Sequence, residues 1–285
     1  MASSTSREEW ALFAVTTLWG ASFLLIRLAM TQWGPLCFVG VRFTIATIVI
    51  LLFSWPILHG ITRREIVGGT VVGVITFLGF ALQTYGLAEI ESAKSGFLTA
   101  FYVPLVPVFE LILMRHKPSR YAWLGMAVAF PGVLLMTGSG ALPTSLTLGE
   151  LATLLCAVVF ACEIVFTGIF VPGTSPRRFV TVQLVVTAIL AFITMPLMGE
   201  SWPKFSWYVL LIALALGLST ALIQNVVAWA QKKIPPTRAT VIYTAEPVWA
   251  GIFGFLAGEY LPVSALIGGG MIVGGILISN YKSEG

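Results

Sequence analysis

The stretch Thr240-Val-Ile-Tyr-Thr-Ala-Glu-Pro-Val-Trp-Ala-Gly-Ile-Phe-Gly-Phe-Leu256 is apolar enough to cross a bilayer, yet it carries the carboxylate of Glu246 directly before Pro247. A charged side chain at the centre of a membrane helix costs about 2.5–3.5 kcal/mol on insertion scales. Proline bends or opens a helix because it lacks an N–H and clashes with the carbonyl four residues earlier. A charge beside a helix break is typical of transporter binding sites. The alternative is a kinked packing helix whose glutamate faces a neighbouring helix.

A similar stretch, Phe97-Leu-Thr-Ala-Phe-Tyr-Val-Pro-Leu-Val-Pro-Val-Phe109, occurs in the first part of the chain and aligns Pro104 with Pro247. Nearer the start of each half a slightly smaller shift fits better, and it pairs Trp19 with Phe160, Arg42 with Gln183, and Gln83 with Gln224. We therefore divide the chain into two similar halves, 1–141 and 142–285. Internal repetition of this kind is the usual build of secondary transporters.

The composition places the chain in a lipid bilayer. Of its 285 residues 58% are hydrophobic and only 10% are charged, and the mean hydropathy is +0.95. This profile predicts a polytopic membrane protein. The pI near 9.1 does not indicate nucleic-acid binding, because the basic residues mark one membrane face. Asp is absent, both histidines fall in predicted loops and the three cysteines lie in apolar runs, so no catalytic residue, metal site, disulfide framework or cofactor is predicted.

Windows of about 20 apolar residues predict an all-α membrane protein with ten transmembrane helices. Their approximate bounds are 10–30, 35–57, 66–87, 94–114, 121–138, 149–170, 179–198, 206–230, 239–257 and 262–280. With both termini in the cytoplasm, twelve Lys and Arg residues fall inside and only Lys94 and Lys204 fall outside, as the positive-inside rule requires. Each half then holds five helices, an odd number, so the halves insert as inverted repeats.

Two glutamates lie deep within predicted spans. Glu163 and Glu246 are expected at similar depth in the inner half of the membrane, where the sequence places no Lys or Arg. Each must therefore be protonated, hydrogen-bonded or hydrated by a cavity. The sequence does not show which of the two faces water.

Two stripes of small and polar residues predict the cavity walls. The helical period places each stripe on one helix face, and the stripes are Thr76, Gly79 and Gln83 in one half, with Gly217, Thr220 and Gln224 in the other. Because the stripes lie on symmetry-related helices, they predict two walls of a single cavity. The alternative is hydrogen bonding between helices without a cavity.

Other residues in the spans have structural interpretations. Glu110 is expected to form an interfacial ion pair with Arg115 or Lys117. Arg42 is expected to fix the ends of neighbouring helices through backbone carbonyls rather than to bind substrate. The small-xxx-small pair Gly270–Gly274 predicts close helix packing, within the fold rather than at a dimer interface.

A set of short motifs occurs in a recognisable order along the chain. The motifs are Leu18-Trp-Gly20, Arg42, Ala93-Lys-Ser-Gly-Phe97 leading to Pro104-Leu105, Glu246-Pro247, Gly258-Glu259, and Gly268 with Gly274-Gly275. In this order the chain resembles EamA-type members of the drug/metabolite transporter superfamily, and among them the YddG-type aromatic amino-acid exporters. The resemblance implies a central cavity between helices one, three, four, six, eight and nine, and export across a bacterial inner membrane. It departs from symmetry where Arg115-His116 stands opposite Gly258-Glu259.

The expected function is export of aromatic and other neutral amphipathic amino acids, and of related small metabolites, by alternating access. The residues expected to line the substrate cavity are Trp19, Gln83, Tyr102, Gln224, Tyr243 and Glu246. Proton coupling, if present, is assigned to Glu163 or Glu246, and the hinges to Pro104 and Pro247. The expected partners are a small-molecule substrate and the bilayer, in a monomer or weak homodimer with cytoplasmic N- and C-termini.

Three other functions compete with amino-acid export. A multidrug exporter of organic cations within the same superfamily needs an exposed anionic cavity. An intramembrane enzyme needs clustered His, Asp or Cys, or a nucleophile–base pair, at depth. A channel is distinguished from a carrier by single-channel currents.

Overall fold

The computed structural model describes residues 6–90, 92–136, 146–246, 248–249, 252–253 and 263–280. None of these residues lies in a β-strand. The helices are α1 (Arg7–Met30), α2 (Pro35–Ser54), α3 (Arg63–Glu89), α4 (Ser92–Thr99), α5 (Tyr102–Phe109), α6 (Arg120–Met136), α7 (Leu148–Phe170), α8 (Pro176–Leu197), α9 (Trp207–Ala230), α10 (Pro236–Tyr243) and α11 (Val263–Asn280). A 3₁₀ turn, Trp55–Gly60, follows α2, and a π turn, Glu110–Met114, follows α5.

Within the described residues, six helical segments are long and apolar enough to cross a membrane, three in each predicted half. They are Arg7–Met30, Pro35–Gly60, Arg63–Glu89, Leu148–Phe170, Pro176–Leu197 and Trp207–Ala230. Shorter apolar helices cover Tyr102–Met114, Arg120–Leu135 and Leu266–Ser279. The all-helical class is confirmed, whereas ten membrane crossings stay a prediction.

Several helices begin where local sequence signals place them. At the starts of α1, α3 and α7 a Ser or Thr and a Glu three residues later form reciprocal capping boxes, which satisfy free backbone N–H groups. The pairs are Ser6 with Glu9, Thr62 with Glu65, and Thr147 with Glu150. Proline occupies the first position of α2, α8 and α10, where its missing N–H costs no hydrogen bond.

The predicted span 94–114 consists of two helices with a break at Ala100 and Phe101. Pro104 explains the position of the break, because its ring clashes with the carbonyl four residues earlier, that of Ala100. In the second half α10 ends at Tyr243, four residues before Pro247, which lies outside the described residues. The roles of both prolines as hinges stay predictions.

Helices of the two halves pack against each other reciprocally. The helix pairs α2–α8 and α6–α11 each join one half to the other, while α3 packs on α7 and α8, and α9 packs on α1 and α2. A Cβ built on Gly125 of α6 would lie 2.6 Å from the carbonyl oxygen of Gly275, and one on Gly132 would lie 2.7 Å from that of Gly268. The repeat alignment that matches the two proline stretches exchanges these contacts, since it pairs Gly125 with Gly268 and Gly132 with Gly275.

Carboxylates cap the N-termini of α2 and α8, which lie at opposite ends of this helix pair. Glu200, after α8, accepts hydrogen bonds from the backbone N–H groups of Leu36 and Cys37 at the start of α2, at 2.9 and 2.7 Å. Glu65, in the first turn of α3 and so in the segment that follows α2, accepts a hydrogen bond from the backbone N–H of Ser175 at the start of α8, at 2.8 Å. In each case the segment after one helix satisfies free N–H groups at the start of the other.

The expected ion pair of Glu110 with Arg115 or Lys117 is wrong. The Glu110 carboxylate is fully buried and contacts His116 Nδ1 at 2.7 Å and the backbone N–H of Thr237 at 2.8 Å. Arg115 adopts a left-handed backbone conformation, with φ of 52°, that turns the chain and brings the next residue, His116, to the carboxylate. Glu110 therefore closes the start of α10, where the helix dipole favours an anion.

The interpretation of Gly270–Gly274 as a packing pair within the fold stays a prediction. A Cβ built on either glycine meets no described atom within 4 Å. The close approach of α11 to α6 uses Gly275 instead, where a Cβ would lie 2.5 Å from the carbonyl oxygen of Gly125 and 2.7 Å from the Cβ of Ala129. A small-xxx-small spacing does not by itself say which face of a helix meets its neighbour.

We expect Gly275→Ala to lower thermal stability, because the added methyl group forces α6 and α11 apart, at a cost of about 1–3 kcal/mol. The matched control, Gly270→Ala on the same helix, should leave the unfolding temperature unchanged or raise it, since Ala is the better helix former by about 1 kcal/mol. Intrinsic fluorescence during heating in detergent micelles measures both. Equal unfolding temperatures for the two variants would contradict the packing described.

Candidate functional site

A cavity with about 680 Å³ of empty space, its open mouth included, lies between helices of the two predicted halves. Side chains from α1, α3, α4, α5, α7, α9 and α10 form its wall. They are Trp19, Ser22, Phe23, Phe80, Gln83, Thr99, Tyr102, Phe160, Glu163, Ile164, Thr167, Gln224, Val227 and Tyr243, together with Glu246.

The residues selected from the sequence meet in this cavity. Its wall includes Trp19, Gln83, Tyr102, Gln224, Tyr243 and Glu246, and also Glu163. Pro104 is not part of the wall, and Pro247 is not among the described residues. Contact of these side chains with a substrate stays a prediction.

Glu163 is the most heavily hydrogen-bonded side chain of the cavity. Its Oε1 accepts from the Thr76 hydroxyl at 2.9 Å, and from the side-chain amides of Gln183 and Gln224 at 3.3 Å each. These donors come from α3, α8 and α9, while Glu163 lies on α7. Hydrogen bonds to the charged form stabilise a buried carboxylate. The second oxygen, Oε2, accepts from no described residue and is available to a ligand.

Several other polar groups of the cavity have no partner among the described residues. The Tyr243 hydroxyl and the Thr99 hydroxyl are fully buried without a hydrogen bond. Within the described ranges no side chain donates to Glu246, and the Gln83 amide makes no hydrogen bond. Buried polar groups in native proteins are nearly always paired with protein or water. These unpaired groups leave hydrogen-bonding capacity in the cavity for water or a polar ligand.

Aromatic rings from the two halves meet edge to face at the cavity. Trp19 of α1 packs against Tyr243 of α10, with ring centroids 5.0 Å apart, and Phe160 of α7 packs against Phe80 of α3 at 5.4 Å. Edge-to-face pairs are favourable and hold rings in defined positions. The cavity therefore presents flat apolar surfaces next to two carboxylates.

Among the described residues, the cavity lining includes two carboxylates and no Lys, Arg or His. Such a site favours a ligand that carries a cationic or hydrogen-donating group. Within the described residues no group of three or more His, Cys or Glu side chains is placed to hold a metal ion.

Sequence reasoning missed the role of Gln183. It was paired with Arg42 by the repeat, but its amide donates both to Thr76, at 2.9 Å, and to Glu163. The available signal was the presence of a single glutamine, Gln183, within the apolar sequence of α8. In the structure its side chain points toward the buried Glu163. Small polar lining residues, such as Ser22 and Thr167, carry no such signal, because similar residues occur throughout the spans.

We expect cysteine labelling to separate the cavity wall from the packed interior. In a background with Cys37, Cys156 and Cys162 replaced by Ala, Val227→Cys should react with a small methanethiosulfonate reagent, because Val227 lines the cavity. The matched control is Ala228→Cys, one residue further on α9, which is buried away from the cavity. Mass spectrometry of the intact protein measures the adduct. Equal labelling of the two variants would argue against a solvent-accessible cavity.

Comparison with solved structures supports the fold. One crystal structure aligns with a TM-score of 0.79 over 97% of this chain and 99% of the other, at 19% sequence identity. At that identity the likeness concerns the fold alone.

Comparison with curated proteins finds relatives named as transporters. The uncharacterized inner membrane transporter YedA of Escherichia coli strain K12 is 26% identical over 277 residues, 94% of this chain and 89% of the relative. An uncharacterized transporter of Archaeoglobus fulgidus is 26% identical over 86% of this chain and 76% of its own length. The uncharacterized transporter YoaV of Bacillus subtilis is 23% identical over 95% of each chain.

A family model also matches the chain. The model of the EamA-like transporter family matches the chain twice, over residues 7–138 and again over 147–281. The two matches together cover nearly all of the sequence, including every helix that contributes to the cavity. The chain therefore belongs to the EamA-like transporter family.

Proposed function

We propose that this protein is a secondary transporter that exports neutral amphipathic amino acids, aromatic ones among them, and related small metabolites. The observation that carries the proposal is the cavity in which aromatic rings, unpaired hydroxyl and amide groups and two carboxylates meet. An amino acid offers an ammonium group for the carboxylates and a side chain for the rings. Membership of a transporter family and relatives named as transporters favour transport over catalysis.

The proposed architecture is ten transmembrane helices in two inverted repeats, with bounds near 1–141 and 142–285. Its support is the double match to one family model and the reciprocal contacts at Gly125, Gly132, Glu65 and Glu200. Two structurally similar halves of opposite orientation favour alternating access, in which rocking of the halves exposes the cavity to one side and then to the other. Pro104 and Pro247 are the proposed bending points.

The proposed location is the bacterial inner membrane, with both termini in the cytoplasm. The relative YedA is named as an inner membrane transporter, and six apolar helices of membrane length support an integral membrane protein. The basic residues Arg64, Arg178 and Lys233 lie at one end of the described bundle, near Glu65 and Glu8. The positive-inside rule assigns that end to the cytoplasm. A monomer or weak homodimer is proposed.

A second candidate function is export of organic cations. It is favoured by the presence of Glu163 and Glu246 in a lining that has no Lys, Arg or His within the part of the chain that the structure describes. Carboxylates beside aromatic rings bind alkylammonium groups through charge and cation–π attraction. The two candidates differ in whether the substrate must carry a carboxylate.

We expect proteoliposomes loaded with radiolabelled L-phenylalanine to release it faster than protein-free vesicles, and faster still when unlabelled L-phenylalanine is added outside. Such trans-stimulation identifies a carrier, whereas a channel shows none and passes single-channel currents. Vesicles that release the amino acid no faster than protein-free ones would remove the amino-acid proposal. Competition by a cationic dye, without competition by amino acids, would replace it with the organic-cation candidate.

We expect Glu246→Gln or Glu163→Gln to abolish accumulation driven by an imposed pH gradient, because a neutral amide does not exchange a proton. Exchange of labelled for unlabelled substrate without a gradient should persist in the coupling variant, since it needs no net proton movement. Glu89→Gln is the matched control, because Glu89 is exposed at the end of α3. If gradient-driven accumulation survives in both cavity variants, neither glutamate carries the proton.

A further inference from the structure

Arg42 of α2 is a buried cation without a carboxylate partner in the described part of the chain. Only 2% of its surface is exposed, and its Nε donates to the Thr220 hydroxyl of α9 at 2.8 Å. Among the described residues no Glu forms an ion pair with it, and neither terminal nitrogen donates a hydrogen bond. Its guanidinium carbon lies 4.9 Å from the ring centroid of Phe80, which lines the cavity. Cation–π contact offsets only part of the loss of hydration.

The second half contains a matching arrangement around Gln183 of α8. Gln183 donates to the Thr76 hydroxyl of α3, as Arg42 donates to that of Thr220. Three residues before each threonine a glycine faces the backbone carbonyl of the donor. A Cβ built on Gly73 would lie 2.7 Å from the carbonyl oxygen of Gln183, and one on Gly217 would lie 2.9 Å from that of Arg42. The two sites therefore share a glycine, a threonine and a long polar side chain in the same geometry.

The third member of the arrangement differs between the halves. Gln183 also donates to the carboxylate of Glu163 on α7. The repeat alignment that pairs Arg42 with Gln183 also pairs Ser22 of α1 with Glu163. Ser22 lines the cavity, and its short side chain donates to the carbonyl oxygen of Trp19 in its own helix. The first half thus has a stronger anion-binding side chain than the second, and no carboxylate of its own opposite it.

We infer that the carboxylate of the transported amino acid binds Arg42, at the place where the second half supplies the carboxylate of Glu163. This inference rests on the proposed function and deepens it, because it requires a zwitterionic substrate. Phe80 lines the cavity and packs against the guanidinium, whereas Arg42 itself is not among the lining residues, so the proposed binding requires the Phe80 ring to turn aside. The planar guanidinium fork matches a carboxylate in bidentate geometry.

The hydrogen-bond partners of the two charged groups are neighbours on α9. Thr220, which holds Arg42, and Gln224, which donates to Glu163, are one turn apart on α9, and such neighbours lie about 5–6 Å apart at Cβ. A substrate bound there places its carboxylate on Arg42 and its ammonium group toward Glu163. An organic cation without a carboxylate leaves Arg42 unpaired. Arg42 therefore selects zwitterions over simple amines.

The test compares amino acids with their decarboxylated amines in proteoliposomes. The probes are L-phenylalanine with 2-phenylethylamine and L-leucine with 3-methylbutylamine, for wild type, Arg42→Gln and Arg42→Lys. We expect Arg42→Gln to lower the ratio of amino-acid to amine flux about ten-fold or more, the size of one lost charge-assisted interaction. The flux ratio of Arg42→Lys should lie between those of the wild type and Arg42→Gln, because lysine keeps the positive charge but lacks the planar guanidinium fork. Arg27→Gln, an exposed arginine on α1, is the control and should keep the wild-type ratio.

The outcomes separate this inference from the proposed function. Equal losses of amino-acid and amine flux in Arg42→Gln would show a structural role and overturn the inference while transport stands. Should that variant fail to fold, the wild type decides: L-phenylalanine must compete about ten-fold better than its methyl ester, and equal competition overturns the inference. A wild type that moves amines but not amino acids overturns it in favour of organic-cation export. A wild type that moves neither removes the proposed function itself.

Discussion

The carboxylate of Glu163, buried among apolar helices, constrains the whole arrangement. A charge away from water is tolerated only when hydrogen-bond donors or a hydrated cavity replace the solvent. Here Thr76, Gln183 and Gln224 supply three donors to one oxygen from three different helices. These helices must therefore stay in register around α7. The other carboxylate oxygen is left to the cavity, so the group that fixes the packing also presents a charge to a ligand.

The two halves solve the same packing problem with different chemistry. Glycines at equivalent positions let α3 approach α8 and let α9 approach α2, and a threonine one turn on accepts a hydrogen bond from the opposing helix. In the second half the donor is a glutamine facing an internal glutamate. In the first half it is an arginine whose counter-charge is not provided by any described residue. Equivalent backbone positions therefore carry unequal side chains, and the charges around the cavity differ between the two halves.

The sequence predicted the helical class, the cavity residues and the break near Pro104, because each depends on local signals. These signals are the length of an apolar run, a glutamate within such a run, and a proline whose ring clashes with the carbonyl four residues earlier. Each has its effect within a single helix. It did not predict the contact of Gly275 with α6, the partner of Glu110 or the contact of Gln183 with Glu163, because these depend on how distant helices meet.

The alignment of the two halves shows the same limit. The hydrogen bonds to Thr76 and Thr220 make these two threonines equivalent. An alignment of α3 with α9 that pairs these threonines places Gln83 opposite Val227. The sequence instead pairs Gln83 with Gln224, because identical residue types are the only signal available before the structure is known. The two alignments differ by about one turn of helix, and only the packing distinguishes them.

The proposed transport requires a hydrated cavity beside Glu163 that holds the solute. The most direct measurement is an experimental structure of the protein soaked with 4-iodo-L-phenylalanine, whose iodine is located by its anomalous scattering. We expect one dominant iodine peak among the rings of Trp19, Phe160 and Tyr243, with the amino-acid backbone directed toward Glu163. A cavity without the ligand at saturating concentration, or a peak only on the lipid-facing surface, would contradict it.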